Sequence, residues 1–156
     1  MIRCLWRQSP CFQANSSSFW AFSPATGLNT VPTEQTMRQA MQAYIDLFNV
    51  SDAAGIAELY AEDATVEDPV GTELKVGKPA IAAFYKMAVA TGAKLKLAAP
   101  IRASHGNSAA MAFEVELNMP EGRAVIRVID VMTFNDAGKF TSMRAYWGKE
   151  DMVVLS

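Results

Sequence analysis

The sequence predicts an α+β fold, with three helices covering the concave face of a curved, mostly antiparallel β-sheet. Between Thr33 and Ala88, apolar residues recur in blocks at helical spacing. From Lys94 onward the pattern changes to alternation broken by turn-forming clusters. The longest alternating run, Arg123 to Phe134, reads RAVIRVIDVMTF and is rich in β-branched and aromatic residues. A sheet roofed in this way forms a cone with an apolar interior open at one end, which is a natural pocket.

Thr33 is placed to cap the first helix, and Glu34 in its first turn suits the helix dipole. Met37, Met41, Tyr44, Ile45 and Phe48 form its apolar stripe, while Arg38, Gln42, Asp46 and Asn49 face away. Ser51 is expected to cap a second, shorter helix carrying Ile56, Leu59 and Tyr60 on one side. A short strand around Thr65 and Val66 follows. It ends at Asp68, because the residue before a proline, here Pro69, is pushed towards extended backbone. Pro79 suits the first turn of the third helix, whose apolar side is Ile81, Phe84, Tyr85 and Ala88. The remainder reads as strands. These are Lys94 to Leu97, Pro100 to Ser104 beyond a break at the proline, Ala109 to Leu117, Arg123 to Phe134, and Phe140 to Trp147. Turns fall at Asn118 to Gly122 and Asn135 to Lys139.

Successive side chains of a strand point to opposite faces. One face of the longest strand therefore carries Ala124, Ile126, Val128, Asp130, Met132 and Phe134, an apolar row interrupted by a carboxylic acid. The other carries Arg123, Val125, Arg127, Ile129, Val131 and Thr133. If the apolar face looks inward, Asp130 sits where a charge is costly. Desolvation would then raise its pKa, and a neutral acid donates a hydrogen bond that a carboxylate cannot. The residues alone leave two other readings open: a structural aspartate held by backbone donors, or a strand whose Asp face is wet. Tyr44 on the buried stripe needs a partner for its hydroxyl. Asp68 at a loop edge stands where reactive groups are common.

With 156 residues, the chain is long enough for a single domain with a real core. A net charge of −2 and the absence of a basic run argue against nucleic acid. No apolar run approaches the roughly 18 residues needed to span a bilayer. Both cysteines, Cys4 and Cys11, precede the patterned region, and His105 is the single histidine. No thiolate or histidine metal site is therefore expected, nor any cofactor, and catalysis must be built from Asp, Glu, Tyr, Lys and Arg. His105, in SHGNS, reads as an exposed loop residue. Residues 1–31 have no sustained period and no continuous apolar core of a signal peptide. They are expected to be a disordered extension or a mis-assigned start, with residues 32–156 as the domain and a cytoplasmic location.

From about Val31 to Val153 the chain resembles ketosteroid isomerase, the steroid Δ-isomerase family of the NTF2-like (SnoaL-like) superfamily. The motifs that carry the resemblance are AYIDL around Tyr44, YAEDATVEDP from Tyr60 to Pro69, IAAFY ending at Tyr85, PIRASH from Pro100 to His105, VIDVM around Asp130, and SMRAYWG from Ser142 to Gly148. The resemblance implies that Asp68 is the general base moving a proton from C4 to C6 of a 3-oxo-Δ5 steroid. It also implies that Tyr44 and a protonated Asp130 form the oxyanion hole. Tyr60 and Tyr85 match tyrosines that extend a hydrogen-bond chain behind the catalytic tyrosine. Trp147 matches a residue that lines the steroid pocket and flanks the base. Met111, Phe113, Val128, Met132 and Met143 are expected to join it as apolar walls. Family members pair as homodimers through the outer sheet face, here Val125, Arg127, Ile129 and Val131. Three rivals share the fold: a polyketide cyclase or small dehydratase, an epoxide hydrolase, and a non-catalytic carrier for apolar ligands. Paired histidines for a dehydratase are absent. Arg127, which an Asp–Arg–Asp epoxide hydrolase would need beside Asp130, is predicted on the opposite face.

Overall fold

The computed structural model describes residues 31–120 and 122–155. The expectations for residues 1–30, including Cys4 and Cys11, lie outside them.

The helices are α1 (Glu34–Asn49), α2 (Ala53–Glu58) and α3 (Lys78–Ala90). The Thr33 hydroxyl accepts from the Thr36 N–H and caps α1, and Met37, Met41, Tyr44, Ile45 and Phe48 are its buried residues, as the periodicity requires. Pro79 stands in the first turn of α3. The second helix departs from expectation. Its cap is Asp52, whose carboxylate accepts from the Gly55 N–H at 2.8 Å, while Ser51 turns the chain at φ 61°. The helix ends at Glu58 with Leu59 as its C-cap, so Tyr60 falls outside it and opens a strand.

The strands are β1 (Tyr60–Glu67), β2 (Lys75–Val76), β3 (Lys94–Leu97), β4 (Arg102–Ala103), β5 (Ser108–Met119), β6 (Gly122–Phe134), β7 (Phe140–Tyr146) and β8 (Met152–Leu155). They form one sheet in the order β2-β1-β7-β6-β5-β3, with β4 also on β5 and β8 also on β6. Every pairing is antiparallel except β1 with β7. The two-residue β2 and the terminal β8 were not anticipated. Each is short, two and four residues, which leaves almost no side-chain period to read. The last long strand stops at Tyr146, one residue before Trp147.

On β6 the alternation is complete. Ala124, Ile126, Val128, Asp130, Met132 and Phe134 are all buried, whereas Arg123, Arg127 and Ile129 are exposed. The helices lie over this inner face. Side chains fasten them to the sheet: Arg38 donates to the Ile101 carbonyl at 2.9 Å, and the Asn49 amide donates to the Leu95 carbonyl and accepts from its N–H. The inner face is filled at one end and hollow at the other. Met37, Met41, Met111, Met132, Phe134 and Phe140 pack solidly, each no more than 2 % exposed. Towards the N-terminal half of β6 the layers separate around a cavity. No helix among the described residues is long and apolar enough to cross a membrane.

Candidate active site

The cavity holds about 280 Å³ and is walled by residues from all the main layers. Helix α1 supplies Tyr44 and Phe48, α3 supplies Phe84, Tyr85 and Ala88, β5 supplies Phe113, Val115 and Leu117, and β6 supplies Ile126, Val128 and Asp130. Asp68 and Trp147 complete it from the ends of β1 and β7. Tyr44, Asp68 and Asp130, far apart in sequence, thus line one shared hollow. Its volume lies just below the range of roughly 300–1,000 Å³ for small-molecule sites, and its walls are largely apolar.

Asp130 is 1 % exposed. Neither of its carboxyl oxygens has a hydrogen-bond partner among the described residues. The backbone-donor reading of a structural aspartate therefore fails, and so does the wet-strand reading. Burial pushes its pKa well above the usual carboxylate range, and the charge of Asp68 adds to the effect. A carboxyl without donors in an apolar wall is stable only as the neutral acid.

Asp68 has a different environment. It follows the last residue of β1, and its peptide bond to Pro69 is cis. The loop is pinned by the Val70 N–H donating to the Ala145 carbonyl at 2.8 Å and the Thr72 hydroxyl donating to the Pro69 carbonyl at 2.8 Å. The Trp147 indole N–H donates to the Asp68 carboxylate at 2.8 Å. Burial raises the Asp68 pKa, while the Trp147 bond and the charge of Lys75 hold it down.

Tyr44 is 4 % exposed. Its phenol lies well above its usual pKa, first because it is buried, then because of Asp130, and it remains a neutral donor. Its ring meets Tyr85 edge-on at 5.7 Å between centroids. Tyr85 and Tyr60 share a buried hydroxyl–hydroxyl hydrogen bond of 2.6 Å. Tyr85 lines the cavity, and Tyr60 stands behind it, 1 % exposed.

Of the expected apolar walls, Phe113, Val128 and Trp147 line the cavity. Met111, Met132 and Met143 do not, being 2 %, 0 % and 1 % exposed within the solid end of the core. Asp130 marks the boundary: Met111 is its cross-strand partner and Met132 is the next inward residue of β6. Phe48, Phe84, Val115, Leu117 and Ile126 line the cavity without having been singled out. The sequence offered one signal for them: each lies on the apolar face of an element already assigned, one turn or one strand repeat from a named residue.

A larger groove, about 670 Å³, runs along the outer face beside Arg127, Ile129 and Tyr146. It contains none of the three polar groups of the inner cavity. Arg127 belongs to this side, so among the described residues the inner cavity has no arginine in its lining, and no histidine either. His105 is fully exposed in the loop before β5. Among the described residues no cluster of His, Cys, Asp or Glu is arranged to hold a metal ion.

Residues 41–143 match the family model described as a SnoaL-like domain. The chain is 42% identical over 118 residues to a steroid Delta-isomerase of Nocardioides simplex, covering 76% of this chain and 94% of that one. It is 29% identical over 125 residues to the epoxide hydrolase LasB of Streptomyces lasalocidi, spanning 44% of that protein's length. A solved structure of SalBIII, an epoxide hydrolase/cyclase-like enzyme with a role in pyran ring formation in the polyether salinomycin, superimposes with a TM-score of 0.73. It has 30% sequence identity, and the match covers 78% of this chain and 97% of that one.

Proposed function

The chain belongs to the SnoaL-like family and has the NTF2-like fold, and from that premise we propose that it is a steroid Δ-isomerase, moving the C5–C6 double bond of 3-oxo-Δ5 steroids to C4–C5. The observation that carries the reading is a doubly unpaired, buried Asp130 sharing one apolar hollow with Tyr44 and Asp68. The 42% identity with a steroid Delta-isomerase gives the substrate class.

In this reading the Asp68 carboxylate takes the C4 proton. The C4–H electron pair becomes the C3–C4 π bond, and the carbonyl π pair moves onto the C3 oxygen, giving a dienolate. Asp68 then returns the proton to C6, where the C5–C6 π pair forms the new C–H bond; the C3–C4 π pair moves to C4–C5 and an oxygen lone pair re-forms the carbonyl, with no net loss of atoms or charge. A carboxylate is a weak base, so the barrier depends on how well the oxyanion is held. Tyr44 and neutral Asp130 suit that task, because each donates a hydrogen bond without placing a formal charge in an apolar wall. This pairing of an ionised base with an acid kept neutral by its surroundings is the arrangement known for ketosteroid isomerases. Tyr60 and Tyr85 support it by holding the ring against which Tyr44 packs.

The epoxide hydrolase reading, favoured by the LasB and SalBIII matches, lacks support in the cavity, since Arg127 is on the outer face. A carrier would need the apolar walls but neither acid. The apolar outer face, with Ile129 51% and Tyr146 44% exposed, supports a homodimer, and light scattering is expected to give twice the chain mass. The activity is tested by following the absorbance rise as 5-androstene-3,17-dione becomes its conjugated isomer. A rise well above buffer is expected, and none, with the steroid still bound, would favour the carrier.

A further inference from the structure

The edge strand β2 reverses the usual burial rule. Leu74 and Val76 are 49% and 61% exposed, while Lys75 between them is half-buried. An apolar–Lys–apolar segment left to hydrophobicity alone would bury the flanks and expose the amine. Register gives the direction. Lys75 is the cross-strand partner of Val66, whose side chain is fully buried on the inner face. Opposed residues share a face, and so do residues two apart. Lys75 therefore lies on the inner side of the sheet, the side to which Asp68 also points. Its ammonium nitrogen sits 5.0 Å from the ring centroid of Phe84, a cavity wall.

We propose that Lys75 is a positioning residue for Asp68, a fixed positive charge held on the Phe84 ring behind the cavity wall that keeps the base ionised in a partly dry site. The inference rests on the isomerase reading only for its kinetic consequence, because the electrostatic effect on Asp68 exists whatever the substrate.

The surroundings leave Lys75 as the nearby cation for this task. From β6, Asp130 faces Asp68 across the cavity as a neutral acid. From α1 and α3 the facing groups are the phenols of Tyr44 and Tyr85, with Tyr60 of β1 behind them. The Trp147 indole gives a hydrogen bond but no charge. Arg144 of β7 is engaged with Glu67 at 3.0 Å, next to Asp68 in sequence but on the opposite face of β1. Burial and the ammonium act on Asp68 in opposite directions, in agreement with this geometry.

The test uses three forms of the full chain: wild type, Lys75→Met and Lys75→Arg. Methionine keeps an apolar stem against Phe84 and removes the charge, whereas arginine keeps the charge. Two quantities are read against pH: the Asp68 carboxyl ¹³C shift without substrate, assigned with Asp68→Asn, and kcat/KM for isomerisation. Lys75→Met should move the Asp68 midpoint upward, lower kcat/KM on the acid limb by roughly two- to five-fold, and leave KM little changed. Lys75→Arg should restore wild-type values. An unmoved carboxyl midpoint in Lys75→Met would overturn the proposal, as would an arginine variant no different from the methionine one. A moved midpoint in a protein that isomerises nothing would leave Lys75 in this role and remove the isomerase reading instead.

Discussion

Two aspartates face one hollow, and their surroundings differ in nearly every respect. Asp68 sits on a loop at the cavity's edge, with an indole N–H on its carboxylate and a lysine nearby. Asp130 sits mid-strand, 1 % exposed, with no donor to either oxygen among the described residues. Burial raises both pKa values, but at Asp68 two influences oppose it and at Asp130 none does. The same functional group thereby meets two environments, one that raises its pKa unopposed and one in which two neighbours temper the rise, and the proposed function assigns them the parts of neutral acid and base. A charge on Asp68 also makes ionising Asp130 costlier still. The roles follow from what lies within a few ångströms of each carboxyl, which no residue-type rule supplies.

The comparison can be broken most forcefully at its ionised member. Asp68→Asn keeps size and polarity but cannot accept the C4 proton. Turnover should fall roughly 10⁴-fold, at the upper end for a general base, with steroid affinity nearly unchanged. Retention of most activity would remove Asp68 from the base role. Next comes Tyr44, the donor proposed to work beside Asp130. Tyr44→Phe deletes one hydrogen bond to the oxyanion and should cost about 10²–10³ in kcat, about 2.7–4 kcal/mol, with little effect on binding. A loss confined to KM would place Tyr44 in the pocket wall only.

The third effect is on stability, and it sharpens the contrast at the neutral member. An acid whose folded pKa lies above its unfolded value stabilises the fold fully below the unfolded pKa. That contribution is lost as pH rises through the folded one. Asp130→Asn has no proton to lose. The variant and wild type should have similar unfolding free energies near pH 3. From about pH 4 upward wild type should lose ground, by at most about 1.4 kcal/mol per pH unit. Urea titrations at several pH values measure this, and parallel curves would mean that Asp130 ionises normally in the folded state.

Much of this was legible in the sequence because β6 is long and its period is clean. Twelve residues of alternation put Asp130 on the apolar face of its strand, and the apolar stripe of α1 carries Tyr44. The limits have physical causes. Alternation tells inward from outward but not solid from hollow, so Met111, Met132 and Met143 looked like pocket walls when they are core. Where the layers part depends on the summed volumes of side chains from several elements, a property of the assembly. Ser51 and Asp52 are both good caps, and which one closes the helix is decided by backbone geometry, with Ser51 at positive φ. Lys75 gives no signal in the sequence, because a lysine on a two-residue strand carries no period at all and only its pairing with Val66 gives it a direction.

The division between the two carboxyls is most directly read by observing them together. With aspartate ¹³C-labelled and the two signals assigned by Asp68→Asn and Asp130→Asn, a titration of the wild-type protein at pH 7 should find Asp68 as carboxylate and Asp130 as carboxylic acid. Two carboxylates at that pH, or the opposite assignment, would contradict it.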